Sequence, residues 1–379
     1  MPGFLTHWRI LIETARELEQ PNARETMLPT DAPTLTYPRL PSLAVGADIP
    51  TLAYLGALGP DVPYLGGSIF RSAFLGSRYK GKASGKSRWA DALHYNRSGD
   101  YVFALLARLP HITSLTLQRK LLAYVFGYLT HIAGDVIVHP FVNSFAGAYH
   151  DQTDPQAFFN FGMHFWVEMC QDAATAKSLF HDDIARLINR RWGKYLSGAL
   201  SELTATHEGS SLLTLLTEVA TQVYGLTDAD AADFASQYEE GTKALQRFLD
   251  GAGYYRLLYW SLRFQGDLSQ RFVRQTGAPS AAGADAWEVT FDQVVRFACA
   301  VSKHLCSVSA GYVENQSVQS EGEDQQSRVA ATLRQSLRNW DLDTGYAAEV
   351  GVGDNGSAIH ILLQHSWYVF QEHRPLAGK

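Results

Sequence analysis

His131-Ile-Ala-Gly-Asp135-Val-Ile-Val-His139 places three ligand-type side chains at a spacing of four inside an apolar run from Leu115 to Phe145. On an α-helix a step of four residues overshoots one turn by about 40°, so all three side chains climb one face. A lone histidine on an apolar helix is ordinarily a satisfied core residue. Three polar groups buried together on one face are different, because each would cost several kcal/mol unpaired, and a shared cation removes that cost. His164-Phe-Trp-Val-Glu168 repeats the spacing on a second apolar segment. Imidazole and carboxylate together suit zinc, and a carboxylate can bridge two ions where imidazole cannot. His7, Asp61 and His94 complete a set of five histidines and three acidic residues within the first 168 positions. Such a set is what a multi-zinc hydrolase needs.

The rest of the chain sets bounds on this reading. At 379 residues, with 46% apolar and 18% charged content, it is long and apolar enough for a large core. A net charge of −6 gives no general reason to expect nucleic acid as a partner. Cys170, Cys299 and Cys306 lack paired zinc-finger spacing, and no disulfide framework is implied. The amino terminus offers neither a charged n-region nor an apolar h-region. No stretch reaches the roughly 18 uncharged apolar residues of a spanning helix, so the cytoplasm is the expected compartment.

Helical periodicity predicts helices over Trp8 to Glu19, Tyr101 to Leu109, Leu115 to Phe145 and Phe158 to Cys170. Further helices are predicted over Leu187 to Leu203, Leu212 to Tyr224, Ala229 to Leu249, Tyr254 to Phe272, Glu288 to Val313, Arg328 to Leu337 and Ala358 to Glu372. Thr227-Asp228-Ala229-Asp230 has the form of a capping box. Strand-like alternation is scarce, so the expected fold is all-α, with residues 1–200 as a catalytic domain and residues 201–379 as a helical extension. The proline-rich stretch from Pro21 to Pro63 is expected as a long surface loop that delivers Asp61 from a stiff turn, Gly59-Pro60-Asp61. From Val62 to Ala90 there is no acidic residue, and Arg71, Arg78, Lys80, Lys82, Lys86 and Arg88 form a basic run, ordinarily a solvated loop, whose position between Asp61 and His94 makes it a candidate lip for an anionic substrate. Asp343-Thr344-Gly345 has no second copy to make an aspartic dyad, and Gly351 to Gly356 follows no convincing strand. His360 and His365 sit on different faces of a helix. All three motifs are expected to be structural.

Taken in order, Thr6-His7, Gly59-Pro60-Asp61, His94, the His131/Asp135/His139 ladder and His164-x3-Glu168 make the first 170 or so residues resemble the zinc-dependent phospholipase C family. The spacing after Asp135 follows the branch of glycosylphosphatidylinositol-specific phospholipase D, and zinc single-strand nucleases share that fold. The resemblance implies up to three zinc ions in a cleft between helices. His7 would hold one, together with the amino group and carbonyl of Pro2 exposed by removal of Met1, and with Asp135 as a bridge. Asp61, His94, His131 and Asp135 would hold the second, and His139, His164 and Glu168 the third. Asp61 would also be the general base. The implied activity is phosphodiester hydrolysis by metal-activated water. A phospholipid head group with peripheral membrane contact fits as substrate, and a nuclease-like reaction or a purely structural metal remains as an alternative.

Overall fold

Ser114 ends an extended segment and its hydroxyl accepts from the Leu117 amide, which starts a helix that runs unbroken from Leu115 to Ala146. That helix organises the molecule. The computed structural model of the chain describes residues 3–19, 50–65, 88–147, 156–180, 192–250, 270–277, 287–317 and 323–342. In chain order these residues form α1 (Phe4–Glu19), α2 (Thr51–Gly56), a 3-10 turn (Gly59–Asp61), α3 (Val62–Leu65), α4 (Arg88–Tyr95) and α5 (Ser98–Ala107). Then come α6 (Leu115–Ala146), α7 (Ala157–Phe180), α8 (Ala199–Thr204), α9 (Leu212–Tyr224) and α10 (Asp228–Asp250). After them follow β1 (Arg274–Gly277), β2 (Trp287–Thr290), α11 (Phe291–Ser317) and α12 (Glu323–Ser336). The fold is all-α, with β1 and β2 pairing as one antiparallel ribbon.

Helix α6 is buried almost all round, from Leu117 to Val142, and packs against α1, α2, α5, α7 and α11. It is long and apolar enough to cross a membrane, contrary to the reading of the sequence. Its apolar window is nevertheless 94% buried by the protein's own helices, as in the central helix of a bundle. It also continues through Pro140, although proline there withholds an amide from the Val136 carbonyl. Glycine allows the closest approach: a side chain at Gly127 would strike the Ala53 carbonyl and the Ala57 amide, so α2 lies directly on α6 there.

Several expected boundaries move. Residues 50–65 are helical and largely buried rather than a surface loop, because Pro50 stands at the N-cap of α2 and Pro60 and Pro63 occupy first-turn positions. A helix start needs no amide from such residues. The segment expected as one helix from Leu187 is broken at Gly198, whose φ of 81° precedes α8. The helix expected from Glu288 begins at Phe291, where Thr290 and Gln293 exchange a capping box. The preceding Trp287–Thr290 pairs with β1 instead. The box at Thr227 and Asp230 forms as the sequence indicates. The basic residues 71–86, the helix expected over 358–372 and the motifs from 343 onward lie outside the described residues, as does the helix expected over 254–272 up to residue 269, while residues 270–272 are not α-helical. One hydrophobic cluster runs through the molecule from Phe4 to Leu342.

Candidate metal centre

Helix α6 presents His131, Asp135 and His139 on its face towards α1, the Asp61 turn and α7. All three are buried, as are His7, Asp61, His94, His164 and Glu168. Gly134 lets α1 come this close, because a Cβ there would meet His7 Nδ1 at 3.1 Å and Ile10 Cδ1 at 3.1 Å. The rings of His7 and His131 stack at 4.2 Å between centroids. All eight side chains fall into buried groups able to hold an ion: His7, His131 and Asp135; Asp61, His94 and His131; His139, His164 and Glu168. Asp135 also reaches a second group, because its two oxygens face different neighbours. Oδ1 lies 3.3 Å from His7 Nε2, while Oδ2 lies 3.0 Å from His131 Nε2 and 3.6 Å from His94 Nε2. A carboxylate so divided is placed to bridge.

Four imidazoles have the same orientation. His94 Nδ1 donates to the Ala90 carbonyl at 2.7 Å, His131 Nδ1 to Ala57 at 2.9 Å, His139 Nδ1 to Leu342 at 2.8 Å, and His164 Nδ1 to the side-chain oxygen of Asn143 at 2.9 Å. A carbonyl oxygen only accepts, so Nδ1 carries a proton, and each ring in its neutral form turns its Nε2 lone pair inward. Outer hydrogen bonds of this kind orient metal-bound histidines.

Between these rings the polar atoms face one another without satisfying one another. Both ring nitrogens of His7, His131 Nε2, Asp61 Oδ2 and both oxygens of Asp135 are buried and make no hydrogen bond. Some approach to 3.0 and 3.3 Å as charge pairs, yet none is aligned as a hydrogen bond. Buried polar groups in proteins are ordinarily paired. Lone pairs converging from imidazoles and carboxylates therefore fit a cation better than they fit each other.

The charge states agree. Burial, reinforced by the His131 charge, lowers His7 to about 4, and burial also lowers His164. For the acids burial pushes the other way and is outweighed. His131 and His139 hold Asp135 well below the usual carboxylate range, His131 and His94 lower Asp61, and the positive groups beside Glu168, His164 and His139 among them, lower it too. His131 is pulled upward, since Asp135 and Asp61 outweigh its burial. Ionised Asp61, Asp135 and Glu168 and neutral His7 and His164 are the forms a metal requires.

Pro2 lies outside the described residues. Gly3 does not, and its neighbour Asp172 is a residue that the sequence reading missed. The Asp172 carboxylate accepts from the Leu5 amide at 3.2 Å, the Thr6 amide at 2.9 Å and the Thr6 hydroxyl at 3.0 Å, so a side chain of α7 caps the first turn of α1. Gly3 has no room for a side chain against that carboxylate. Burial raises Asp172 to about 7 despite these three hydrogen bonds. The signal was present, because His164, Glu168 and Asp172 form a ladder with the same spacing as His131, Asp135 and His139.

Searches of curated proteins and of solved structures find no match to the chain. A family model described as zinc dependent phospholipase C matches residues 6–209, which include all eight of these side chains. That span exceeds half of the 379 residues, and with the buried ligand sets it contains the conclusion is plain: the chain belongs to the zinc-dependent phospholipase C family.

Proposed function

We propose that the protein is a zinc-dependent phosphodiester hydrolase of phospholipase C type, with up to three ions. In this reading Asp61, His94, His131 and Asp135 hold one ion; His7 and Asp135, with the terminal groups of Pro2, hold a second; His139, His164 and Glu168 hold a third. The division of Asp135 between His7 on one side and His131 and His94 on the other is the observation that carries it. Zinc in such a site brings the pKa of water towards about 7 and offsets charge on phosphate oxygens.

The chain's own part is positional and acid–base. Asp61 Oδ1 faces His94 Nε2 at 3.1 Å, which leaves Oδ2, buried and without a hydrogen bond, to receive the proton of the attacking water. The lowered pKa keeps that oxygen unprotonated, so Asp61 is ready as an acceptor before substrate arrives. A lipid head group is the favoured substrate, reached by peripheral contact with a membrane surface.

The test is the zinc-loaded full chain assayed on a short-chain phospholipid, a chromogenic phosphodiester and a single-stranded oligonucleotide. Release of a phosphorylated head group is expected, and Asp61→Asn should lower kcat by about 10²–10⁴ while much of the zinc stays bound. Turnover unchanged in Asp61→Asn would remove Asp61 as the base. Zinc without hydrolysis of any of the three substrates would leave the metal as a structural element.

A further inference from the structure

The family match ends at residue 209, yet the turn that carries Asp61 is fixed by a side chain beyond it. Tyr238, in α10, is fully buried, and its hydroxyl donates to the Gly59 carbonyl at 2.9 Å. With that proton committed, the hydroxyl of Tyr124 on α6 is the donor in the Tyr124–Tyr238 hydrogen bond. A directed chain of hydroxyls thus runs from α6 through α10 to the peptide two residues before Asp61. The same face of α10 grips the other end of the turn, since a side chain at Gly241 would strike the Val62 carbonyl. Gly59 itself has no space for a Cβ, which would meet Tyr124 Oη at 2.7 Å and a Tyr128 ring carbon at 2.9 Å.

We propose that Tyr238 is a positioning residue of the metal centre, holding the Gly59–Asp61 turn so that the Asp61 carboxylate meets His94 and the cluster. Packing alone does not account for it. Phenylalanine at both positions would fill nearly the same volume, but it would leave the Gly59 carbonyl without the hydroxyl that it accepts from. A hydroxyl pair aimed at one carbonyl adds direction, and it adds it where an error displaces Asp61. The Leu342 peptide does the same from further along the chain: its carbonyl accepts from His139, and its amide donates to the His94 carbonyl at 3.0 Å. The half of the chain outside the match therefore supplies part of the centre's frame.

This inference rests on Asp61 serving the function proposed above, and the experiment separates the two. Tyr238→Phe and Tyr124→Phe are made in the full chain and loaded with zinc. Each is assayed on bis(4-nitrophenyl) phosphate, and the transfer of zinc to a chromogenic chelator is timed beside it. Tyr238→Phe should keep its fold by circular dichroism, lose about 10-fold in kcat with KM nearly unchanged, and give up its most labile zinc about 10-fold faster. Tyr124→Phe should change less in both, because Tyr238 keeps its bond to Gly59. Equal kcat and equal zinc release in Tyr238→Phe and the unchanged protein would overturn the proposal. So would Tyr124→Phe falling as far as Tyr238→Phe, or a Tyr238→Phe variant that does not fold, since either makes the pair a packing element. If the unchanged protein hydrolyses no phosphodiester, the function fails, and the zinc-release comparison still decides for or against Tyr238.

Discussion

At the scale of single residues, the ligands and the groups that orient them differ in how they are encoded. Asp172 offers the sharpest test. Asp172→Ala removes the acceptor for three donors of the first turn of α1, a loss expected to cost about 1–3 kcal/mol and to free His7 from its place. Thermal melting should record the first effect, and elemental analysis should record about one zinc fewer per chain. Unchanged zinc content would confine Asp172 to stability. Asp135→Asn should be worse for the metal than His7→Ala, because Asp135 faces both His7 and His131, and elemental analysis of the two variants side by side decides. The ligands were legible because each ladder is local: four residues of helix place one rung above the next. Their partners were not. The acceptors for His94, His131 and His139 are the backbone carbonyls of Ala90, Ala57 and Leu342, and every residue has a carbonyl.

At the scale of elements, periodicity placed the long helices but ended α7 at Cys170, ten residues before Phe180, and missed α4, while other errors fell where helix-start chemistry competes with it. Leu115 to Phe145 was readable because apolar residues surround a helix that is buried on every side. Residues 50–65 were misread because proline serves equally as a breaker and as a first-turn residue, and only the tertiary setting tells which. The interhelix glycines give a paired prediction. Gly127→Ala drives a methyl group into the α2 backbone next to Ala57, the residue that fixes His131, and should cost about 1–3 kcal/mol together with some metal affinity. Gly162→Ala, on α7 with nothing within 4 Å, should instead raise stability by about 0.5–1 kcal/mol. Melting curves of the two variants check both signs.

At the scale of the whole molecule, α11 packs on both α1 and α6, and the core passes without a break from Phe4 to Leu342. Ions held by the folded chain alone stabilise it by mass action, so chelation should lower the melting temperature by roughly 5–10 °C. Calorimetry with and without chelator measures it, and an unchanged midpoint would mean that the centre does not hold metal tightly. The contacts that frame the centre join residues remote in the chain: Leu5 to Asp172 across 167 positions, Gly59 to Tyr238 across 179, His139 to Leu342 across 203. Contacts of such separation are slow for a folding chain to make. The ladder on α6 exists as soon as that helix does, but its imidazoles are not yet aimed and its neighbours have not arrived. Capture of the ion is therefore a late event, with a rate set by completion of the fold and independent of zinc concentration once zinc is in excess. A half-made chain has no pocket in which to trap the wrong metal.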